Sequence, residues 1–364
     1  MSRLDRLSEL GQSVWIDFLS RDLLESGGLA RGIAHDGVVG VTSNPTIFAK
    51  ALSRGDAYDA QLASLGGGDA KRAFLSLAMR DVRNACDVLR PVWDRTAHHD
   101  GYVSIEVDPN LAYDAEATVR EAIELHEAIA KPNLLVKIPA TDAGLGAIEE
   151  MTARGRSINV TLIFSLARHR QVVESYLTGL ERLIVAGGDA HHVHSVASFF
   201  VSRVDTETDR RLAELGRNDL AGRLGIANAK LAYQQYKELF RGERWEALAS
   251  RGATKQRCLW ASTSTKDPSL RDTLYVEELI GPETISTMPE ETIRAFQDHG
   301  RVDVTIETDL QDAHDLFDHL QAAGVRYEDV VDTLEREGIE KFVASFDELL
   351  RGIAAKRGQL AAAA

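Results

Sequence analysis

Short apolar runs alternate along this chain with longer amphipathic segments, and this alternation limits the folds that the chain can adopt. Eight runs are predicted as strands, at residues 14–19, 38–43, 102–107, 134–139, 158–164, 195–201, 258–262 and 284–287. Helices are predicted between several of them, at residues 71–95, 113–130, 166–186, 205–215 and 227–240. Strands that alternate with helices of this length form βαβ units and a parallel sheet.

The number of strands favours a closed barrel over an open sheet. Eight parallel strands with intervening helices are typical of a (β/α)₈ TIM barrel, which commonly spans about 250 residues or more as one domain. A doubly wound open sheet is the alternative, but no G-x-G-x-x-G motif follows any predicted strand. We therefore predict an α/β fold with one barrel domain over residues 1–364.

The pattern changes beyond about residue 300, where no further strand is predicted. Residues 309–323 and 327–350 are predicted as added helices, which form a C-terminal extension over about 300–358. A run of three glycines at 66–68 indicates a turn between the second and third strands. The sequence leaves open the role of the extension and the oligomeric state, a homo-oligomer included.

Composition argues against several classes of protein. A formal net charge of −14 disfavours a nucleic-acid partner, which needs a basic face. No stretch approaches the ~18 apolar residues of a membrane span, and the N-terminus lacks the apolar region of a signal peptide. Since Cys86 and Cys258 are the only cysteines, a disulfide framework is disfavoured and a cytoplasmic location is expected.

One lysine stands inside the predicted fourth strand. Lys137 lies between Val136 and Ile138, in a run whose Leu, Val and Ile residues are typical of a strand buried on both faces. Burial disfavours the charged form of an amine and yields the neutral nucleophile that forms Schiff bases with carbonyl groups. The alternative is a structural lysine that extends toward solvent or pairs with a buried carboxylate.

Other polar residues fall at the ends of predicted strands, where TIM barrels place their active sites. In chain order these candidates are Asp17, Asn44, Glu106, Asn159, Thr161, Ser198, Phe200, Arg203 and Lys266. Some have structural alternatives: Asp17 as a solvated strand end, and Asn44 as the N-cap of a helix. Glu106 could pair with Lys137 as a buried structural ion pair. A lysine and two carboxylates at one face nevertheless favour a catalytic site.

The candidate metal ligands are the histidines at 191, 192 and 194. They precede the sixth strand, at the end of a barrel opposite the active site, and no carboxylate or cysteine lies in a recognised ligand spacing nearby. The pair at 98 and 99 is interpreted in the same way. We predict no metal site.

Six segments carry motifs that occur together and in order, at residues 14–24, 39–49, 103–108, 134–144, 158–165 and 195–205. The most specific pieces are Thr-Ser-Asn-Pro-Thr, Val-Lys-Ile-Pro-Ala-Thr and Asn-Val-Thr-Leu-Ile-Phe-Ser. Over roughly residues 10–300 the chain resembles the transaldolases, in particular their longer bacterial subfamily. The resemblance implies a cofactor-free class I aldolase that moves a dihydroxyacetone unit between phosphorylated sugars in the non-oxidative pentose phosphate pathway.

The resemblance also implies roles for the residues of the chemical step. Lys137 matches the residue that attacks the C2 carbonyl of fructose 6-phosphate or sedoheptulose 7-phosphate. Asp17 matches the acid/base that takes the proton of the C4 hydroxyl as the C3–C4 bond breaks. Glu106 and Thr161 match the pair that handles water during formation and hydrolysis of the Schiff base. The protonation state of Glu106 stays open, because a carboxylate beside a lysine favours the charged amine.

The substrate-binding residues follow from the same resemblance. Asn44 and Asn159 match residues that hold substrate hydroxyls, while Ser198 and Arg203 match the phosphate end. A guanidinium suits phosphate because it offers paired, directed hydrogen bonds. Many transaldolases carry an arginine after the seventh strand, where this chain offers Lys266 in a loop of different spacing.

Two residues bear on whether the dihydroxyacetone unit would be transferred to an acceptor or released. Fructose 6-phosphate aldolases release free dihydroxyacetone and tend to carry Gln and Tyr where this chain has Glu106 and Phe200, so these two residues favour transfer. The further alternatives are a sugar-phosphate isomerase on the same barrel, and a non-catalytic phosphosugar-binding barrel in which Lys137 only pairs with Glu106.

Overall fold

Eight parallel strands close into a barrel in chain order within residues 2–53, 55–65 and 69–363, which the computed structural model describes. They are β1 (Gln12–Ile16), β2 (Val38–Val41), β3 (Val103–Glu106), β4 (Leu134–Pro139), β5 (Ile158–Ile163), β6 (Ser195–Phe200), β7 (Arg257–Ala261) and β8 (Thr284–Met288). The predicted TIM barrel is confirmed, and every predicted strand overlaps an observed one. The turn predicted at 66–68 lies outside the described residues.

Sixteen α-helices accompany the strands in the same part of the chain. They are α1 (Arg3–Glu9), α2 (Arg21–Glu25), α3 (Gly28–His35), α4 (Pro45–Ser53), α5 (Asp59–Ser64), α6 (Ala70–Arg95), α7 (Ala115–Ile129), α8 (Asp142–Ala153), α9 (Leu166–Val185), α10 (Ser202–Glu214), α11 (Leu224–Leu239), α12 (Glu243–Ala249), α13 (Leu274–Glu277), α14 (Glu290–His299), α15 (Leu310–Ala322) and α16 (Tyr327–Ala363). The helix α16 continues past residue 350, where the predicted helix ends, and past the predicted end of the extension near residue 358, since its last turns are rich in alanine, the best helix former. Within the described residues, no helix combines the length and apolar character needed to cross a bilayer.

The strands alternate between a face that packs on the helices and a face that fills the barrel. On β4, Val136 and Ile138 join the larger apolar cluster, which includes the surrounding helices, whereas Leu135 joins a second cluster with Trp15. Lys137 therefore shares the inward face with Leu135, two positions earlier. On β2, Gly40 admits the indole of Trp15, since a Cβ at residue 40 would lie 2.4 Å from its ring.

A buried ionic network closes the N-terminal end of the barrel. Arg257 donates hydrogen bonds from Nη2 to Asp100 at 3.0 Å and from Nη1 to the Ser13 hydroxyl at 2.9 Å. Asp100 also accepts from Ser13 Oγ at 2.7 Å and from the Trp15 indole at 3.2 Å. Because every charge in this network has a partner, it ties together β1, β7 and the turn before β3 without a desolvated, unpaired group.

The long helix α16 crosses the opposite, C-terminal end of the barrel. It packs against α4, α6 and α10 and reaches the end of β5. Gly338 permits this approach, because a Cβ there would lie 3.3 Å from the ring of Phe164. Further along, Phe346 packs edge-on against Phe74 of α6, with ring centres 5.6 Å apart. One turn of α16 therefore lies directly above the barrel interior.

Removing the arginine of the N-terminal network is expected to destabilise the protein strongly. Arg257→Met leaves Asp100 buried without its positive partner, and the free energy of unfolding should fall by about 3–5 kcal/mol. The matched control is Arg217→Met, which breaks the solvent-exposed ion pair with Asp219 and should not be resolved from wild type. Denaturant unfolding of the three proteins measures both. Equal stability of the two variants would show that the network contributes nothing to stability.

Candidate active site

A cavity of about 500 Å³ opens at the C-terminal end of the barrel. Eight of the ten predicted site residues line it: Asp17, Asn44, Lys137, Thr161, Ser198, Phe200, Arg203 and Lys266. Glu106 and Asn159 stand behind the wall, in contact with Lys137 and Ser198 respectively. The ten residues come from seven strands, β1 to β7, and the segments that follow them, and they converge on one site, as the geometry of a parallel barrel requires.

Lys137 occupies the centre of this site. The sheet register pairs it with Glu106 on the neighbouring strand, and Lys137 Nζ lies 2.5 Å from Glu106 Oε1. Nζ also donates a 3.1 Å hydrogen bond to the carbonyl oxygen of Ser43. The two side chains are only 7% and 8% exposed. The ion pair that sequence offered as a structural alternative is therefore present, and it holds the amine at the wall of an open cavity.

Asp17 faces the same amine from the other side of the barrel. It is the first residue after β1, which ends at Ile16. Thr42 donates a 2.7 Å hydrogen bond to Asp17 Oδ1. Burial raises the pKa of the Asp17 carboxyl, whereas the positive charge of Lys137, the Thr42 hydrogen bond and the charge of Arg203 counteract this rise. Part of the side chain nevertheless remains accessible from the cavity.

The pKa of Glu106 is also set by burial and by a nearby positive charge, which act in opposite directions. Burial raises the pKa of its carboxyl, and the adjacent Lys137 opposes the rise through its charge and a hydrogen bond. Two carboxyl groups with raised pKa therefore flank one buried amine. Such groups exchange protons more readily near neutral pH than ordinary surface carboxylates, which makes the arrangement suited to general acid–base chemistry.

On β5, Asn159 and Thr161 differ in how their polar atoms are used. The Asn159 amide is bonded at both ends, donating to Ser104 Oγ at 3.1 Å and accepting from Ser198 Oγ at 2.7 Å. Thr161 Oγ1 is buried and has no hydrogen-bond partner among the described residues. Leu162 next to it has a φ of 60°, and the pairing with β6 shifts register there. Buried, unpaired hydroxyls beside strained backbone are typical of functional positions.

The outer part of the cavity is cationic. Arg203, at the start of α10, has a buried Nη1 with no hydrogen-bond partner among the described residues. Its guanidinium carbon lies over the rings of Phe200 and Phe342, at 5.1 and 5.7 Å from their centres. Lys266 is exposed at the rim, where its ammonium donates to Ser264 Oγ at 2.7 Å. An arginine with unused donors beside an open cavity is suited to binding an anion.

Asn44 serves the fold and the site together. Its Oδ1 accepts a 3.0 Å hydrogen bond from the backbone N–H of Ile47, so it caps α4, with Pro45 as the first helical residue. The predicted N-cap is confirmed. The same side chain lines the cavity, because α4 begins immediately beyond β2 at the C-terminal end of the barrel.

Several lining residues were not predicted. They are Thr42, Thr46, Ile47, Lys50, Thr287, Glu290, Glu291, Lys341, Phe342 and Ser345, among others. Those that follow β8 obey the strand-end rule and were detectable from sequence. Those on α16 carry no such signal, since the pattern of a helix does not tell where that helix packs.

The histidines before β6 stay apart from this site. His191 and His192 are exposed, and both contact Asp189, with His191 Nδ1 2.8 Å from its carboxylate. Among the described residues, no group of three or more His, Cys, Asp or Glu side chains is arranged to hold a metal ion.

Residues 14–353 match the family described as transaldolase/fructose-6-phosphate aldolase. The chain belongs to this family. It is 53% identical over 365 positions to a transaldolase of Mycobacterium ulcerans, covering 98% of both chains. It is 51% identical over 360 positions to transaldolase 1 of Streptomyces avermitilis, covering 97% of this chain and 95% of the relative. A transaldolase of Thermobifida fusca is 52% identical over 359 positions, at 97% and 98% coverage.

Membership of the transaldolase family confirms the resemblance found in the sequence. The relatives' names support the transferase reaction over the release of dihydroxyacetone that fructose 6-phosphate aldolases catalyse. The matched region begins within β1 and extends through α15 into most of α16.

The pKa of Asp17 should move in opposite directions in two variants. Thr42→Val removes a hydrogen bond that favours the carboxylate, so the Asp17 pKa should rise. Glu291→Gln removes a negative charge that disfavours the carboxylate, so the pKa should fall. Titration of the Asp17 carboxyl ¹³C resonance, assigned with Asp17→Asn, measures both shifts. Shifts of the same sign in the two variants would contradict this account of the site.

Proposed function

We propose that this chain transfers a dihydroxyacetone unit from sedoheptulose 7-phosphate or fructose 6-phosphate to an aldose phosphate, through a Schiff base on Lys137. The observation that carries the proposal is the amine of Lys137, buried at the cavity wall between Glu106 and Asp17. The relatives' names agree with this reaction. We further propose that the reaction belongs to the non-oxidative pentose phosphate pathway and takes place in the cytoplasm.

The first step needs a neutral amine. Glu106 can accept a proton from Lys137 Nζ across 2.5 Å, and the raised pKa of this carboxyl favours the exchange. The amine then attacks the C2 carbonyl to form a carbinolamine. Glu106 returns its proton to the leaving hydroxyl, and water departs as the iminium forms. The free hydroxyl of Thr161 is placed to bind that water.

The second step breaks the C3–C4 bond. Ionised Asp17 accepts the proton of the C4 hydroxyl, whose oxygen becomes the aldehyde of the departing aldose phosphate. The electron pair of the broken bond moves onto C3 and is delocalised into the iminium as an enamine. Thr42 holds the carboxylate in position through its hydrogen bond. The reverse sequence, with an acceptor aldehyde, forms the new C–C bond and returns the proton from Asp17.

Substrate binding is divided between the two ends of the cavity. Arg203 suits the phosphate, because its Nη1 has no protein partner among the described residues, and Lys266 adds a point charge at the rim. Asn44 lines the cavity and would hold a sugar hydroxyl, while Ser198, which also lines it, would contact the phosphate end. Asn159, predicted to hold a substrate hydroxyl, lies behind the wall and would also orient Ser198 through their hydrogen bond.

Borohydride trapping with fructose 6-phosphate tests the chemical step. In the wild-type protein, we expect reduced dihydroxyacetone attached to the peptide that contains Lys137, located by intact mass and peptide mapping. Lys137→Met should give no adduct. Asp17→Asn should trap the whole ketose phosphate, because the imine forms while cleavage slows by about 10²–10⁴-fold. Full turnover by Lys137→Met would instead support an isomerase that uses a carboxylate base.

Transfer and release are separated by the dependence on acceptor. Two rates are compared: the release of free dihydroxyacetone from fructose 6-phosphate alone, and the formation of glyceraldehyde 3-phosphate when erythrose 4-phosphate is present. The first rate should be at most about one tenth of the second. A tenfold difference corresponds to about 1.4 kcal/mol of barrier between protonation of the enamine and its capture. Equal rates with and without acceptor would assign the chain to the releasing branch of the family.

A further inference from the structure

The half-buried Arg203 is held by aromatic rings. Its guanidinium carbon lies 5.1 Å from the ring centre of Phe200 and 5.7 Å from that of Phe342. Both distances fall within the ~6 Å over which an aromatic face attracts a cation. One ring belongs to β6 and the other to α16.

This arrangement orients the side chain without occupying its donors. A carboxylate partner would also orient Arg203, but it would accept the N–H groups and neutralise the charge. Aromatic faces do neither, and Arg203 Nη1 keeps no hydrogen-bond partner among the described residues although it is buried. Glu106 and Asp17 act on the guanidinium only through their more distant charge. The guanidinium is therefore oriented and still free to bind an anion.

Phe342 is itself fixed by its helix. Gly338, four residues earlier, brings α16 close to Phe164 at the end of β5. Phe346, four residues later, packs against Phe74 of α6. Residues four apart lie on one face of a helix, so Phe342 is held between two anchors on the face that looks into the barrel. In addition, Ser345 Oγ accepts a 3.1 Å hydrogen bond from Thr46 of α4.

We infer that Phe342 is a positioning residue that holds the guanidinium of Arg203 in place for the phosphate group of the substrate. The C-terminal extension, whose role the sequence left open, thereby completes the phosphate end of the active site. The inference rests on the proposed function, since it takes Arg203 as the phosphate-binding residue. The chemical class recognised is a phosphomonoester, for which inorganic phosphate is a simple probe.

The inference is tested with Phe342→Leu, by comparing its effect on substrate and phosphate binding with its effect on the rate of the chemical step. This variant keeps an apolar side chain but removes the aromatic face. The KM for fructose 6-phosphate and the Ki of inorganic phosphate as a competitive inhibitor should both rise about 5-fold, the size expected of one cation–π contact. The kcat should stay within about 2-fold, because Lys137 and Asp17 are untouched. Phe342→Tyr should restore both constants.

Two further variants make the outcome specific. Ile353→Ala weakens the packing of the same helix eleven residues beyond Phe342, without changing either anchor or Arg203, so it should lower the melting temperature but leave the KM and the phosphate Ki unchanged. An equal rise of the Ki in Ile353→Ala would overturn the inference, since any loosening of α16 would then suffice. Arg203→Met separates the two proposals. If it raises the Ki while Phe342→Leu does not, the inference fails and the proposed function stands; if neither raises it, the phosphate assignment of Arg203 fails.

Discussion

A primary amine inside a closed barrel needs a nearby group that can share its proton, and in this protein that group is Glu106. The two residues occupy paired positions on β4 and β3, so the parallel register itself brings them together. Burial on all other sides would make either charge costly alone. Each charge therefore compensates the other through one 2.5 Å contact, and removing either partner would leave an uncompensated buried charge. In the proposed mechanism, the same contact carries the proton of the amine.

The electrostatics of the cavity differ from those of the whole chain. The protein carries a formal net charge of −14, which repels anions at long range. The cavity, however, is lined by more cationic than anionic side chains: Lys50, Lys137, Arg203, Lys266 and Lys341 against Asp17, Glu290 and Glu291. An anionic ligand is thus attracted only once it is close to the cavity.

A structural feature could be predicted from the sequence wherever one local rule determined both the secondary-structure element and its orientation. The strands could be predicted because buried parallel strands are almost continuously apolar, and Lys137 was visible because it interrupts one of them. Asn44 was visible as a cap because Pro45 follows it. Phe342 was not predictable in the same sense. Its contact with Arg203 depends on where α16 packs, which is decided by distant partners on α4, α6 and β5 rather than by the helix itself.

The position of α16 also has a consequence for the order in which the protein can be made. The hydrogen bond between Thr46 and Ser345 joins residues 299 positions apart, and β1 pairs with β8 across nearly as much of the chain. Contacts of such long range form late and slow folding, because a large loop must close before they contribute. On the ribosome, strands one to seven emerge without the strand that closes the barrel and without the helix that covers it. The nascent chain thus carries Lys137 long before the cavity around it is complete, because α16, which supplies part of the cavity lining, leaves the exit tunnel much later.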